Sequence, residues 1–370
     1  MKICCVCGAR PNFMKIAAVT RAMQHHPQLT RTIVHTGQHY DERMCKAMFD
    51  DLALPRPDFD LEVGSGSHAA QTAEIMKRFE PIALEHRPDL VVVVGDVNST
   101  IACALVASKL GIAVAHVESG LRSFDRDMPE EINRLLTDAI SDLMFVSEPS
   151  GMENLAKEGV PADRTFFVGN VMIDTLLHHR ERAMQSGVLD MLGLAAKGYG
   201  VLTLHRPSNV DDPAVLSKLL DGVDHALKFM QIVFPVHPRT RIRFREFGLD
   251  DRLKNMIGLK LIEPAGYLDF LRLVADARLV LTDSGGIQEE TTILNVPCLT
   301  LRENTERPAT IDSGLNRLVG SDPAKIRAGI DDVLAGRISL KRVPEKWDGR
   351  AGERIVNIIL QQGAMGFPRR

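Results

Sequence analysis

The run LVLTDSGGIQEE at residues 279–290 sets two glycines between an apolar segment and a pair of glutamates. Ser284 is placed to cap a helix whose first turn holds Gly285 and Gly286. With no side chains there, a phosphate can come close to the backbone N–H groups at the helix start. Glu289 and Glu290 fall about a turn and a half further on. A carboxylate touching a diphosphate would repel it, whereas one displaced along the helix can accept two hydrogen bonds from a ribose diol. The stretch therefore reads as a nucleotide-diphosphate pocket.

Other apolar runs end in chemically equipped residues too. The first is followed by GARPNFMK, where Arg10 and Lys15 flank a helix start suited to phosphate, although both would also pass as solvated cations. No G-x-G-x-x-G follows that run, so a dinucleotide cofactor is not expected. Asp96, after VVVVG, is either an N-cap or a catalytic carboxylate. His116 and Glu118 should share one face of a strand. They lack the Pro-Cys-x-x-Cys partner of a zinc deaminase. Asp125-Arg126-Asp127 is a weak metal signal, and Pro129-Glu130-Glu131 is ordinary helix-start chemistry. His205 and His237 each end a run with an arginine close behind, which favours an anion site.

The elements that must hold these groups are short, β-rich and mostly continuous in their apolar character, as VVVV at 91–94 illustrates. Such runs, separated by helical patterns, predict parallel strands buried on both faces. They fall at 2–7, 32–36, 90–95, 113–118, 143–147 and 165–168, then at 199–204, 231–236, 259–263, 279–283, 298–301 and 317–319. Two such sets in 370 residues predict an α/β protein of two doubly wound Rossmann-like domains facing across a cleft. The boundaries expected are residues 1–169 with a closing helix at about 350–370, and residues 170–349. Ligands of open parallel sheets bind beyond the carboxyl ends of strands, which is where the polar residues gather.

Net charge is −3, so no general attraction to nucleic acid or anionic membrane is expected. No apolar run has the length of a membrane span, and the N-terminal run is too short for a signal peptide, so a cytoplasmic enzyme is expected. The six cysteines (Cys4, Cys5, Cys7, Cys45, Cys103 and Cys298) read as small buried apolar residues.

Taken together, the stretches GARPNFMK, TGQHYDERM, GDVNST, HVESGLRS, MPEEINRLLTD, GNVMIDTL, LHRPSN, DSGGIQEETT, VPCLTLRENTERP and GLNRLVG resemble the non-hydrolysing UDP-N-acetylglucosamine 2-epimerase family, in order over residues 2 to 320. The resemblance implies a glycosyltransferase-B-like fold and interconversion of UDP-GlcNAc and UDP-ManNAc. The route would be elimination of UDP to a 2-acetamidoglucal and its re-addition, without redox cofactor or obligatory metal, in a homodimer. Carried onto this chain, Arg10, Lys15 and His205 would contact phosphate or orient the sugar. Asp96, Glu118 and Glu130 would handle the C2 proton and the hydroxyls. Ser284 and Gly285 would hold phosphate, Glu290 the ribose, and Phe270 would flank the uracil. The chain departs from the common pattern at Ala9 and Asn12, at Pro207 and Ser208, and at Tyr40 in a stretch that some relatives use for allosteric UDP-GlcNAc.

Alternatives remain open at this point. One is a 2-epimerase of another UDP-sugar such as a 2,3-diacetamido-uronate, whose extra carboxylate Arg122, Arg206 or Arg239 could meet. Others are a hydrolysing epimerase, a retaining glycosyltransferase, and a nucleotide-sugar sensor.

Overall fold

The computed structural model describes residues 1–37 and 48–368; the side chain of Arg10 and the stretch holding Gln38, His39, Tyr40 and Cys45 lie outside the described residues. Two compact units emerge, Met1–His178 with Glu345–Arg370, and His179–Pro344. Each is built on one parallel sheet.

The first sheet has the strands β1 (Lys2–Cys7), β2 (Thr30–His35), β3 (Phe59–Asp60), β4 (Leu90–Val94), β5 (Ala113–Ser119), β6 (Leu143–Val146) and β7 (Thr165–Phe167). Their order is β3-β2-β1-β4-β5-β6-β7. The second sheet has β8 (Tyr199–Thr203), β9 (Gln231–Pro235), β10 (Leu259–Ile262), β11 (Leu279–Thr282), β12 (Cys298–Thr300) and β13 (Asn316–Leu318), in the order β10-β9-β8-β11-β12-β13. The apolar runs do form the expected strands because helices cover both faces: Val91, Val92 and Val93 are wholly buried, as are Val280 and Leu281. β3 has no counterpart among the expected strands. Its two residues pair Val34 with Phe59 and His35 with Asp60 at the sheet edge, too short a run to leave a periodic signal.

In each sheet the strand order reverses at one place, between β1 and β4 in the first and between β8 and β11 in the second. These reversals open crevices beyond the strand ends, the usual ligand position in this architecture. The first is bordered by Gly8 and Gly95, the second by His205 and Asp283.

The chain returns to the first unit after residue 344. Trp347 donates its indole N–H to Ser147 O at 3.0 Å. The helix Ala351–Met365 then starts on the Asp174 carboxylate, which accepts from Ala351 N at 3.1 Å and Gly352 N at 2.7 Å. Gly352 lies against the helix Arg10–Met23, where a Cβ would stand 2.7 Å from Ala18 O. Five cysteines are described; all are buried and none is in a disulfide. Burial pushes the Cys5 and Cys298 thiols up to about 12. Among the described residues no helix is long and apolar enough to cross a membrane.

Candidate active site

At the reversal in the first sheet, the turn after β1 is held by Asn12. Its Oδ1 accepts from Gly8 N at 3.2 Å and Ala9 N at 2.9 Å, and its Nδ2 donates to Val94 O at 3.0 Å, tying the ends of β1 and β4 together. Gly8 must be bare, since a Cβ would fall 2.0 Å from Ser99 Oγ. Lys15, one turn into the helix Arg10–Met23, is buried and places Nζ 2.8 Å from Glu118 Oε1. Gly95 takes φ +68°, and a Cβ there would sit 2.7 Å from that ammonium.

Glu118 itself has φ +73°, a left-handed conformation unusual for a strand residue, where the β5–β6 register shifts between Val117 and Ser119. Its neighbour Asp96 is gripped by Arg134, with Nε at 3.0 Å and Nη2 at 2.6 Å from Oδ2. Arg134 comes from the helix Pro129–Ile140 and also holds Glu131 at 2.5 Å. Two carboxylates on adjacent strand ends, each with its own cation, can exchange protons with a bound molecule while remaining oriented.

At the second reversal the hub is Asp283, which is fully buried. It accepts from the backbone N–H groups of His205 and Arg206, both at 2.9 Å, and its Oδ1 lies 2.8 Å from His205 Nδ1. Burial alone would raise its pKa; the His205 ring and these N–H donors outweigh burial and bring it down to about 2. The His205 ring is thereby oriented from behind, and lies 6.0 Å from His237, centroid to centroid. His237 caps the helix Pro238–Glu246 by accepting from Arg239 N at 3.2 Å. The helix Gly285–Leu294 begins beside this hub.

The family model described as UDP-N-acetylglucosamine 2-epimerase matches residues 21–360. The chain belongs to the UDP-N-acetylglucosamine 2-epimerase family. A Methanocaldococcus jannaschii relative of that name is 44% identical over 370 residues, covering 97% of this chain and 99% of the relative. A Pseudomonas aeruginosa relative, a UDP-2,3-diacetamido-2,3-dideoxy-D-glucuronate 2-epimerase, is 40% identical over 325 residues, covering 87% and 89%. The crystal structure of the M. jannaschii UDP-GlcNAc 2-epimerase in complex with UDP-GlcNAc and UDP superposes with a TM-score of 0.91 over 98% of this chain and 100% of that one. The two parallel-sheet domains are thus of the glycosyltransferase-B-like kind found in this family.

The first unit carries Lys15, Asp96 and Glu118 at its reversal, and Glu130 half-buried in the first turn of Pro129–Ile140. Arg10 opens its helix. The second unit gathers His205, His237, Ser284, Gly285 and Gly286; Phe270 is half-buried on the helix Tyr267–Ala275, and Glu290 is buried on Gly285–Leu294.

Several finer expectations need correction. Asp96 is not an N-cap: Val97 holds that place, and Arg134 claims the carboxylate. The left-handed Glu118 breaks the alternation that would have put it on the face of His116. Ser284 occupies the N-cap position, but its hydroxyl makes no capping bond. Gly285 faces a carboxylate: a Cβ would sit 2.6 Å from Glu306 Oε1, so its bareness already serves the protein's own packing. Arg122 is buried and committed to Asp138 at 2.7 Å and to Glu158 at 2.6 Å. Arg239 is paired with Asp211. Neither is positioned as a spare cation for an extra substrate carboxylate. Asp125 accepts from Asp127 N at 3.1 Å, and no group of metal-binding residues exists among the described residues.

Sequence reasoning missed Asn12, Arg134, Asp138 and Asp283. A signal existed for Arg134, which follows Glu131 by three residues and so lies on the same helix face. Asp283 stood in plain view at a strand end, yet nothing in the sequence says that residues 205 and 206 would donate to it.

Proposed function

We propose that this enzyme interconverts UDP-GlcNAc and UDP-ManNAc by eliminating UDP to a 2-acetamidoglucal and adding it back with C2 inverted. The observation that carries this reading is the pair Asp96 and Glu118 at the ends of adjacent strands, each against a buried cation. The first unit supplies these acids with Glu130; the second grips the nucleotide. The names of the M. jannaschii relative and of its ligand-bound structure support the choice of sugar.

The C2 hydrogen is a poor acid because no carbonyl adjoins it. Its removal becomes feasible as the anomeric C–O bond breaks and C1 gains positive charge. The departing diphosphate then gains negative charge, and donors that hold it more tightly at that moment lower the barrier. His205, fixed by Asp283, and the N–H groups opening Gly285–Leu294, with Ser284, Gly285 and Gly286, take that part. Arg10 adds a cation, Glu290 receives the ribose diol, and Phe270 lies beside the uracil. Losing one such donor costs ~3–4 kcal/mol in the barrier. The acids divide removal and return of the proton between the two faces of the glucal. The proton returns and UDP re-adds, so the cycle balances without oxidant or reductant.

A second reading takes a diacetamido-uronate as substrate, favoured by the name of the P. aeruginosa relative. Arg206, 3.6 Å from Glu306 and beside His205, would then meet the added carboxylate. UDP-GlcNAc incubated with the protein in D2O decides between them: NMR should show UDP-ManNAc deuterated at C2. Free ManNAc would mean hydrolysis, and turnover of the uronate alone would move the substrate. A homodimer is also proposed, on the family resemblance, and a monomeric mass by light scattering would refute it.

A further inference from the structure

One buried cluster lies beneath the candidate carboxylates without belonging to them. His116 is wholly buried in β5, and both its ring nitrogens meet acceptors. Nδ1 lies 2.6 Å from Asp138 Oδ1, and Nε2 lies 2.8 Å from the Gly95 carbonyl. A carbonyl oxygen can only accept, so Nε2 must carry a hydrogen. Asp138 accepts at its other oxygen from Gly120 N at 3.0 Å and from Arg122 at 2.7 Å, the partners of an ionised carboxylate. An Asp138 carboxylate that accepts at both oxygens leaves His116 Nδ1 as the donor. Arg122 also engages Glu158 at 2.6 Å.

Placement gives the cluster its meaning. The His116 bond holds the carbonyl of Gly95, the residue before Asp96. The Asp138 bond holds the N–H of Gly120, two residues after Glu118. Gly95 and Gly120 take positive φ freely, but Glu118 does so at φ +73° with a side chain attached, so the backbone around it needs outside support to keep its shape. Asp138 lies one turn after Arg134 on the helix Pro129–Ile140. The same helix thus grips the Asp96 carboxylate directly and the backbone beside both acids through Asp138.

We propose that Asp138 and His116 are a positioning pair, His116 a buried imidazolium, that fixes the strand ends presenting Asp96 and Glu118. The proposal rests on the reading of those acids as the reacting groups. Neither member of the pair touches substrate; each acts through the backbone it restrains. A displacement of an ångström at a reacting group can reduce a rate about 100-fold.

The test starts with the intact protein labelled with 15N-histidine at neutral pH. His116 should show two protonated ring nitrogens, and one unprotonated nitrogen would overturn the imidazolium. C2 exchange in D2O is then compared between wild type and Asp138→Ala. The expected result is a kcat lower by about 100-fold with KM within about threefold; a kcat within about threefold of wild type overturns the positioning role. If Asp138→Ala does not fold, His116→Gln is read by the same criteria. Asp138→Asn should recover most of the rate, because its amide can donate to a neutral Nδ1 while its oxygen keeps Gly120 and Arg122. Failure of that rescue in a folded protein also overturns the role. Asp96→Asn and Glu118→Gln are run in parallel. Full exchange in both removes the underlying reading; exchange lost in both but kept in Asp138→Ala removes the positioning proposal alone.

Discussion

Replacing Asp283 by Asn tests the second-unit hub through its charge. The side chain is fully buried and sits among the His205 ring and the N–H groups of His205 and Arg206. Its pKa is brought from the usual 3.8 down to about 2, against the opposing effect of burial. At 1.36 kcal/mol per pKa unit, that shift corresponds to roughly 2 kcal/mol of stability. A depressed carboxylate contributes fully above its unfolded pKa, near 4, and loses the contribution as pH falls through its folded pKa, near 2. Asp283→Asn should therefore weaken protection of residues 203–210 in native-state hydrogen exchange by ~2 kcal/mol near neutral pH, about a 30-fold rise in opening. The gap between variant and wild type should close as the pH approaches 2. A gap below ~0.5 kcal/mol at neutral pH, or one that persists undiminished in acid, would refute the electrostatic account.

Three further outcomes follow from the geometry. Glu118→Gln leaves the Lys15 ammonium buried without its partner; urea unfolding should show a loss of ~3 kcal/mol, and C2 exchange should collapse. Gly95→Ala forces a side chain into a left-handed position 2.7 Å from Lys15 Nζ, so a thermal melt should reveal ~1–2 kcal/mol of destabilisation together with lost turnover. Native protein should leave Cys4, Cys5, Cys7, Cys103 and Cys298 unlabelled by a thiol reagent, because all five are buried; rapid labelling of any of them, mapped by mass spectrometry, would contradict that burial.

The sheets were legible because VVVV at 91–94 and LVL at 279–281 are buried on both faces, and burial on both faces leaves a continuous apolar run. The parallel order placed chemistry at the strand ends, and Asp96, Glu118, His205 and Ser284 all stand there. Partnership was not legible. Glu130 and Glu131 look equivalent in Pro-Glu-Glu, yet Glu131 is taken up by Ser123, Phe124 and Arg134, while Glu130 is half-buried. That difference depends on a loop folding back over the helix start, which spacing along one chain does not encode. The left-handed turn at Glu118 was hidden for a related reason. Such a conformation is rare for glutamate and persists only where surrounding bonds hold it.

The return of residues 345–368 to the first unit also shapes how the molecule is made. The segment 179–344 is uninterrupted, so all of its residues are made before Ala351–Met365. The older N-terminal half is completed later, because the side of Arg10–Met23 turned away from β1 and β4 is covered by Ala351–Met365. A nascent chain stalled before Trp347 would therefore expose its first-made half to chaperones and proteases, although that half was translated earliest.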